Sequence, residues 1–240
     1  MSTTDQPVVV LVHGAFAESA SWNRVIRQLD GRGLHAVAVA NPLRALADDT
    51  AYVRDVVDGI GHPVVLVGHS YAGMVITQAA ADLPAVRSLV YVSAFAPETG
   101  ESAFGLSGRF PGSSLAETLT AYPVASGGNE FRIAEDRFHQ QFCADLYADE
   151  AALMAATQRP VTERALTDGL AGEPAWRTVP SWFAFGGRDL NIPAKTLRFM
   201  AERASSRGTR EVADASHAIA ASRPEAVAAT IVDAAEGKQG

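Results

Sequence analysis

The stretch Pro63-Val64-Val65-Leu66-Val67-Gly68-His69-Ser70-Tyr71-Ala72-Gly73-Met74-Val75 joins a continuous apolar run to a helix-forming segment through a turn of small residues with Ser70 at its apex. An unbroken Val/Leu run of this length reads as a strand buried on both faces, as in a parallel sheet. The Gly-His-Ser turn should end that strand and hand the chain to a helix. Such a turn folds the backbone back on itself, so the positions two before and two after the serine must be small. Gly68 and Ala72 satisfy this. Placed so, the Ser70 hydroxyl projects beyond the carboxyl edge of the sheet and the Tyr71 N–H opens the next helix.

Outward from that stretch the pattern repeats. Val8 to His13 reads as a buried strand that exits sharply into Gly14-Ala15-Phe16. Trp22, Val25, Ile26 and Leu29 follow at helical spacing, with Gly31 and Gly33 as the stop. Leu34 to Ala40 is a second strand, and Leu46 to Ile60 a helix whose Asp48 and Asp49 complement its amino end. Past the Ser70 stretch, a helix to about Leu83 leads to a strand over Ser88 to Phe95. Strands alternating with helices predict a parallel sheet with right-handed crossovers and helices on both faces.

The alternation breaks at Ala96-Pro97. From there to about Thr178 no strand pattern is read, and helical patterns return only around Phe138 to Met154, so residues 96–178 read as an inserted cap. Residues 1–95 and 179–240 form the core. In its second part Pro180 to Phe185 is a strand followed by Gly186-Gly187-Arg188-Asp189, Thr209 to Val212 is another followed by Ser216-His217, and Pro224 to Ala235 is a final helix.

A serine hydroxyl is a poor nucleophile at neutral pH and needs an imidazole to take its proton and a carboxylate to orient that imidazole. Asp189 and His217 both lie past carboxyl ends of strands, in the order Ser70, Asp189, His217. Asp189 alone reads equally well as a helix N-cap; His217 downstream tips the assignment. Glu98 is the alternative acid, and Asp214 is expected to cap its own loop. His13 and His69 are expected to brace their turns, and His35, His62 and His139 are not placed to act as the base. The oxyanion donors are expected to be the backbone N–H groups of Ala15 and Tyr71. Phe16, Phe95, Phe138 and Phe142 are the candidates for the walls of the substrate pocket.

Composition bounds the alternatives. The 240-residue chain is 48% hydrophobic, enough to bury a large core, and its formal net charge of −7 without a basic cluster argues against nucleic acid or an anionic membrane as a partner. The single cysteine, Cys143, reads as a buried hydrophobe, and the six histidines show no metal-ligand spacing, so no metal and no cofactor are expected. The polar stretch from Met1 to Pro7 lacks the pattern of a secretory signal, which predicts a cytoplasmic protein, monomer or homodimer, acting on a small molecule.

The segments His13-Gly14-Ala15, Gly68-His69-Ser70-Tyr71-Ala72, Gly187-Arg188-Asp189 and Ser216-His217 fall in the order found in the α/β-hydrolase family, which the chain resembles over nearly its whole length. Opening directly on the Val8 strand, it is similar to the compact branch that contains plant methyl esterases and hydroxynitrile lyases. The resemblance implies a six-stranded, mainly parallel sheet with helices on both faces and a helical cap. It also implies a serine hydrolase cleaving a small, largely uncharged or hydrophobic ester, thioester or lactone through an acyl-enzyme. The lyases carry a lysine near the site, whereas the lysines here are Lys195 and Lys238, in the helix after Asp189 and in the tail. Two alternatives stand beside the hydrolase: a small-molecule receptor or scaffold retaining the fold, and a cofactor-free lyase or perhydrolase on the same triad.

Overall fold

The computed structural model describes residues 6–125 and 127–239; the first residues of the polar Met1 to Pro7 stretch lie outside them. The chain alternates β1 (Val8–Val12), α1 (Asn23–Asp30), β2 (Ala36–Val39), α2 (Leu46–Ile60), β3 (Val64–His69), α3 (Ala72–Ala79) and β4 (Val86–Val92). It then leaves the sheet for an excursion holding α4 (Ala103–Ser107), β5 (Leu119–Pro123), β6 (Asn129–Ile133), α5 (Glu135–Phe142), α6 (Ala148–Thr157), β7 (Val161–Thr162) and α7 (Glu163–Thr167). The chain returns through β8 (Ser181–Gly186), α8 (Ala194–Arg203), β9 (Gly208–Val212), α9 (Ile219–Ser222) and α10 (Pro224–Glu236).

Six strands pair in the order β2-β1-β3-β4-β8-β9, all parallel. Successive side chains of a strand face opposite sides, and both sides here are buried. Val10, Val12 and Leu66 join one apolar cluster with residues of α2, α3 and α8, while Val9, Leu11, Val65 and Val67 join another with α1 and α10. This is why β1 and β3 read as unbroken apolar runs. Each fully buried Val or Leu contributes about 1.5–3 kcal/mol over leaving it exposed.

The strand order reverses between β1 and β3. The chain steps outward from β1 to β2 and returns on the other side of β1, so the loops leaving β1 and β3 part from one another at their carboxyl ends. Such a switch point opens a crevice where open α/β sheets place their ligands. The loop at 13–16 and the Ser70 turn border it.

The excursion departs from the helical cap that the resemblance implies. β5, β6 and β7 form a three-stranded antiparallel sheet, with a hairpin turned by Gly127 and Gly128, both at positive φ. Its signal in the sequence is faint because β5 is almost wholly exposed and β7 is two residues long, so no apolar alternation develops. Cys143 is buried, and burial together with Asp145 and Glu150 pushes its thiol up to about 12. Among the described residues no helix is long and apolar enough to cross a membrane.

Candidate active site

At the end of β3 Ser70 adopts φ +54°, a left-handed conformation that costs a non-glycine residue about 1–3 kcal/mol. The neighbouring strand holds it there. The Ser70 N–H donates to the Val92 carbonyl at 3.2 Å, and the Ser70 carbonyl accepts from Gly73 N at 3.0 Å and Phe95 N at 3.2 Å. Gly68 is required by contact, since a Cβ there would lie 2.8 Å from the Ala72 carbonyl oxygen.

The loop leaving β1 presses against this turn. A Cβ on Gly14 would lie 2.5 Å from the His69 carbonyl oxygen and 2.7 Å from the Ser70 Cβ, so only bare backbone fits between them. The Phe16 N–H is spent on the Arg159 carbonyl at 3.1 Å, whereas the Ala15 and Tyr71 N–H groups find no acceptor among the described residues. Ala15 and Tyr71 both line the cavity at Ser70. The Tyr71 hydroxyl is anchored away from it, donating to Asp49 Oδ2 at 2.8 Å. Burial raises the Asp49 carboxyl above its ordinary range, and burial and the Asp49 charge together raise the Tyr71 hydroxyl well above its own.

Past β8, Asp189 Oδ1 accepts the N–H groups of Asn191 at 2.8 Å and Ile192 at 2.9 Å, and Oδ2 lies 2.7 Å from His217 Nδ1. Both partners are buried, and His217 Nε2 has no hydrogen-bond partner, so the bond to the Ser70 hydroxyl is not closed in this structure. The loop carrying His217 is nonetheless tied to the Ser70 turn. His69 Nε2 donates to the His217 carbonyl at 3.1 Å, and the two rings lie 4.7 Å apart. The alternative acid, Glu98, is engaged by Arg177 at 2.6 Å, and Asp214 pairs with Arg188 at 3.0 Å on the surface. His35 and His62 are exposed, and His139 Nε2 donates to the Leu146 carbonyl.

A cavity of about 100 Å³ opens at Ser70 and no charged side chain lines it. Phe16 and Phe95 are in its wall. Phe138 and Phe142 are not. Both are fully buried and stacked at 5.0 Å, and Phe142 lies edge-on 5.1 Å from the His217 ring, so Phe142 walls the imidazole and Phe138 packs on Phe142. Composition gave their aromatic character but not the face of α5 they occupy. Phe104, Leu119, Leu166 and Ile192 line the cavity without having been singled out. Lys195 is engaged over the Phe110 ring at 4.7 Å and is not part of the wall.

Two histidines beside the site are held neutral. His13 bonds the Gly14 carbonyl through Nδ1 and its Nε2 is buried without a partner; burial, with the charge of Arg159, lowers its pKa to about 4 from 6.5. Burial, and then the neighbouring His217, hold His69 well below its ordinary value. The folded pKa values lie below the unfolded ones, so the unfolded chain binds the extra protons. Stability from these groups is therefore full above about pH 6.5 and is lost as pH falls towards about 4. Urea midpoints measured at about pH 7.5, 6 and 5 should decline in that order, with a limiting slope of about 1.4 kcal/mol per pH unit for each group. A flat profile over that window contradicts the burial of two neutral imidazoles.

Comparison with known proteins identifies the family and the fold. The model of the alpha/beta hydrolase family matches residues 9–230. The chain is 27% identical over 250 residues to the alpha/beta hydrolase nvfD of Aspergillus novofumigatus, covering 96% of this chain and 97% of that one. It is 26% identical over 251 residues to Methylesterase 3 of Arabidopsis thaliana, covering 95% of each. Among solved structures, polyneuridine aldehyde esterase superposes with a TM-score of 0.82 over 95% of this chain and 99% of that one, at 20% identity. With a match spanning the Ser70 turn, Asp189 and His217 alike, the chain belongs to the alpha/beta hydrolase family.

Proposed function

We propose that the protein is a carboxylic ester hydrolase that cleaves a small, uncharged or hydrophobic ester through an acyl-enzyme on Ser70. The observation that carries this reading is the buried His217–Asp189 pair, 2.7 Å apart, whose remaining nitrogen is unspent and whose loop is bonded to the residue before Ser70. As the Ser70 oxygen attacks the ester carbonyl, its proton passes to His217 Nε2. Asp189 holds the ring in the tautomer that leaves Nε2 free and stabilises the imidazolium that results. The Ala15 and Tyr71 N–H groups receive the charge that develops on the carbonyl oxygen, each worth about 2.7–4 kcal/mol of barrier. His217 then gives its proton to the departing alcohol, and a water activated by the same ring releases the acid. Unclosed catalytic hydrogen bonds are common before substrate arrives and tighten in the complex.

The substrate class follows from the wall. A charged substrate would shed its hydration on entering a cavity with no countercharge, and burying an unpaired charge is costly. The excursion over 96–178 acts as the cap that sets the size of the acyl or alcohol group, through Phe104, Leu119 and Leu166. The similarity to Methylesterase 3 supports an ester rather than an amide substrate. A panel of p-nitrophenyl esters of rising chain length, with lactones and methyl esters beside it, tests the proposal. Turnover of short neutral esters is expected. A folded protein that hydrolyses none of them while binding them in the cavity would instead be a receptor.

A further inference from the structure

Asn191 follows Asp189 by two residues and lines the cavity at Ser70 while being only 2% exposed. Nearly all of its hydrogen-bonding groups are spent. Its N–H donates to Asp189 Oδ1, its carbonyl accepts from Ser113 Oγ at 2.9 Å, and its Oδ1 accepts from Gln141 Nε2 at 2.8 Å. The orientation of the amide is dictated by a chain of bonds that begins at a fixed acceptor. The Leu190 carbonyl can only accept, so the group of Gln141 that meets it at 2.9 Å is the nitrogen, and Ser114 Oγ donates to the opposite Gln141 oxygen at 2.8 Å. The Asn191 atom facing that nitrogen must then be oxygen. This leaves Nδ2, which has no acceptor among the described residues. Ser107 and Ser113, also in the wall, donate to the Phe104 and Asn191 carbonyls.

We infer that Asn191 is a specificity-determining residue whose side-chain N–H₂ binds an oxygen acceptor on the substrate, so that the preferred ester carries an ether, alkoxy or second carbonyl oxygen in addition to the scissile group. This rests on the ester-hydrolase reading. The physical reason is asymmetric: once substrate fills the cavity, an amide donor that no substrate atom meets forfeits its hydration, so an all-hydrocarbon substrate leaves it unpaired.

Two pairs of esters matched in shape test this. p-Nitrophenyl methoxyacetate against p-nitrophenyl butyrate places the oxygen in the acyl chain, and 2-methoxyethyl acetate against butyl acetate places it in the alcohol. Intrinsic reactivity cancels when each ratio of kcat/KM is compared between wild type and variant. In Asn191→Leu the oxygen-to-hydrocarbon ratio is expected to fall about tenfold or more for one of the pairs. Asn191→Asp keeps an oxygen for Gln141 but offers no donor to the substrate, and it should lose the same ratio even if the leucine variant folds poorly. Gln141→Met, which removes the bond that fixes the amide's orientation but leaves its N–H₂ in place, should lower the ratio by less than either Asn191 variant. Ratios unchanged from wild type in both Asn191 variants, with turnover still dependent on Ser70, overturn the role of Asn191 and leave the hydrolase standing. Turnover that persists in Ser70→Ala overturns the hydrolase reading itself.

Discussion

Ser70→Ala is expected to lower kcat for ester hydrolysis by about 10⁴-fold or more, with the protein still folded. The size of the effect comes from what is left behind. Without the hydroxyl there is no acyl-enzyme, and the residual rate reflects only binding and the two backbone donors at Ala15 and Tyr71. The fold should tolerate the change because the φ of +54° at this position is held by backbone bonds to Val92, Gly73 and Phe95, none of which uses the serine side chain. Equal urea midpoints for the two proteins, beside a collapse in turnover, would separate chemistry from folding. Retention of more than about a tenth of the wild-type rate would place the nucleophile elsewhere.

Asp189→Asn is expected to cost nearly as much, about 10⁴-fold, although it removes no atom of substance. The reason lies in the two N–H groups of Asn191 and Ile192 that donate to Asp189 Oδ1. An amide placed there must keep its oxygen towards those donors, which turns its NH₂ towards His217 Nδ1. The ring must then accept at Nδ1 and carry its proton on Nε2, so it can no longer take one from Ser70. The imidazolium would in any case lose its stabilising charge. Steady-state kinetics of this variant should show the loss mainly in kcat. A modest loss, below about tenfold, would mean that His217 is oriented by something other than Asp189.

The core of the fold was open to reading because of how it is buried. Val64 to Val67 and Val9 to Val12 lose solvent on both faces, and this leaves an apolar run no helix face would produce. The Ser70 turn, Asp189 and His217 were visible for a related reason: each stands just past such a run, where parallel strands deliver their loops to one edge. What stayed hidden depends on contacts between distant parts of the chain. A Cβ on Gly73 would lie 2.0 Å from the Phe95 carbonyl oxygen, so this glycine lets α3 pack on the chain leaving β4. Phe138 and Phe142 were read as pocket walls because aromatic residues in a cap supply area without direction, and only the docking of α5 sets Phe142 against His217 with Phe138 stacked on it. In the β5–β7 sheet β5 is almost wholly exposed and β7 only two residues long, so no pattern develops, and the bonds from Gln141 to Leu190 and Asn191 join residues about 50 positions apart.

The central claim is that Ser70 is a nucleophile activated by His217. Incubating the protein with a fluorophosphonate and locating the adduct by peptide mass spectrometry tests it most directly. One equivalent of label on Ser70, none in Ser70→Ala and far slower labelling in His217→Ala is the expected result. A folded wild-type protein that stays unlabelled, or an adduct on another residue, would contradict the account.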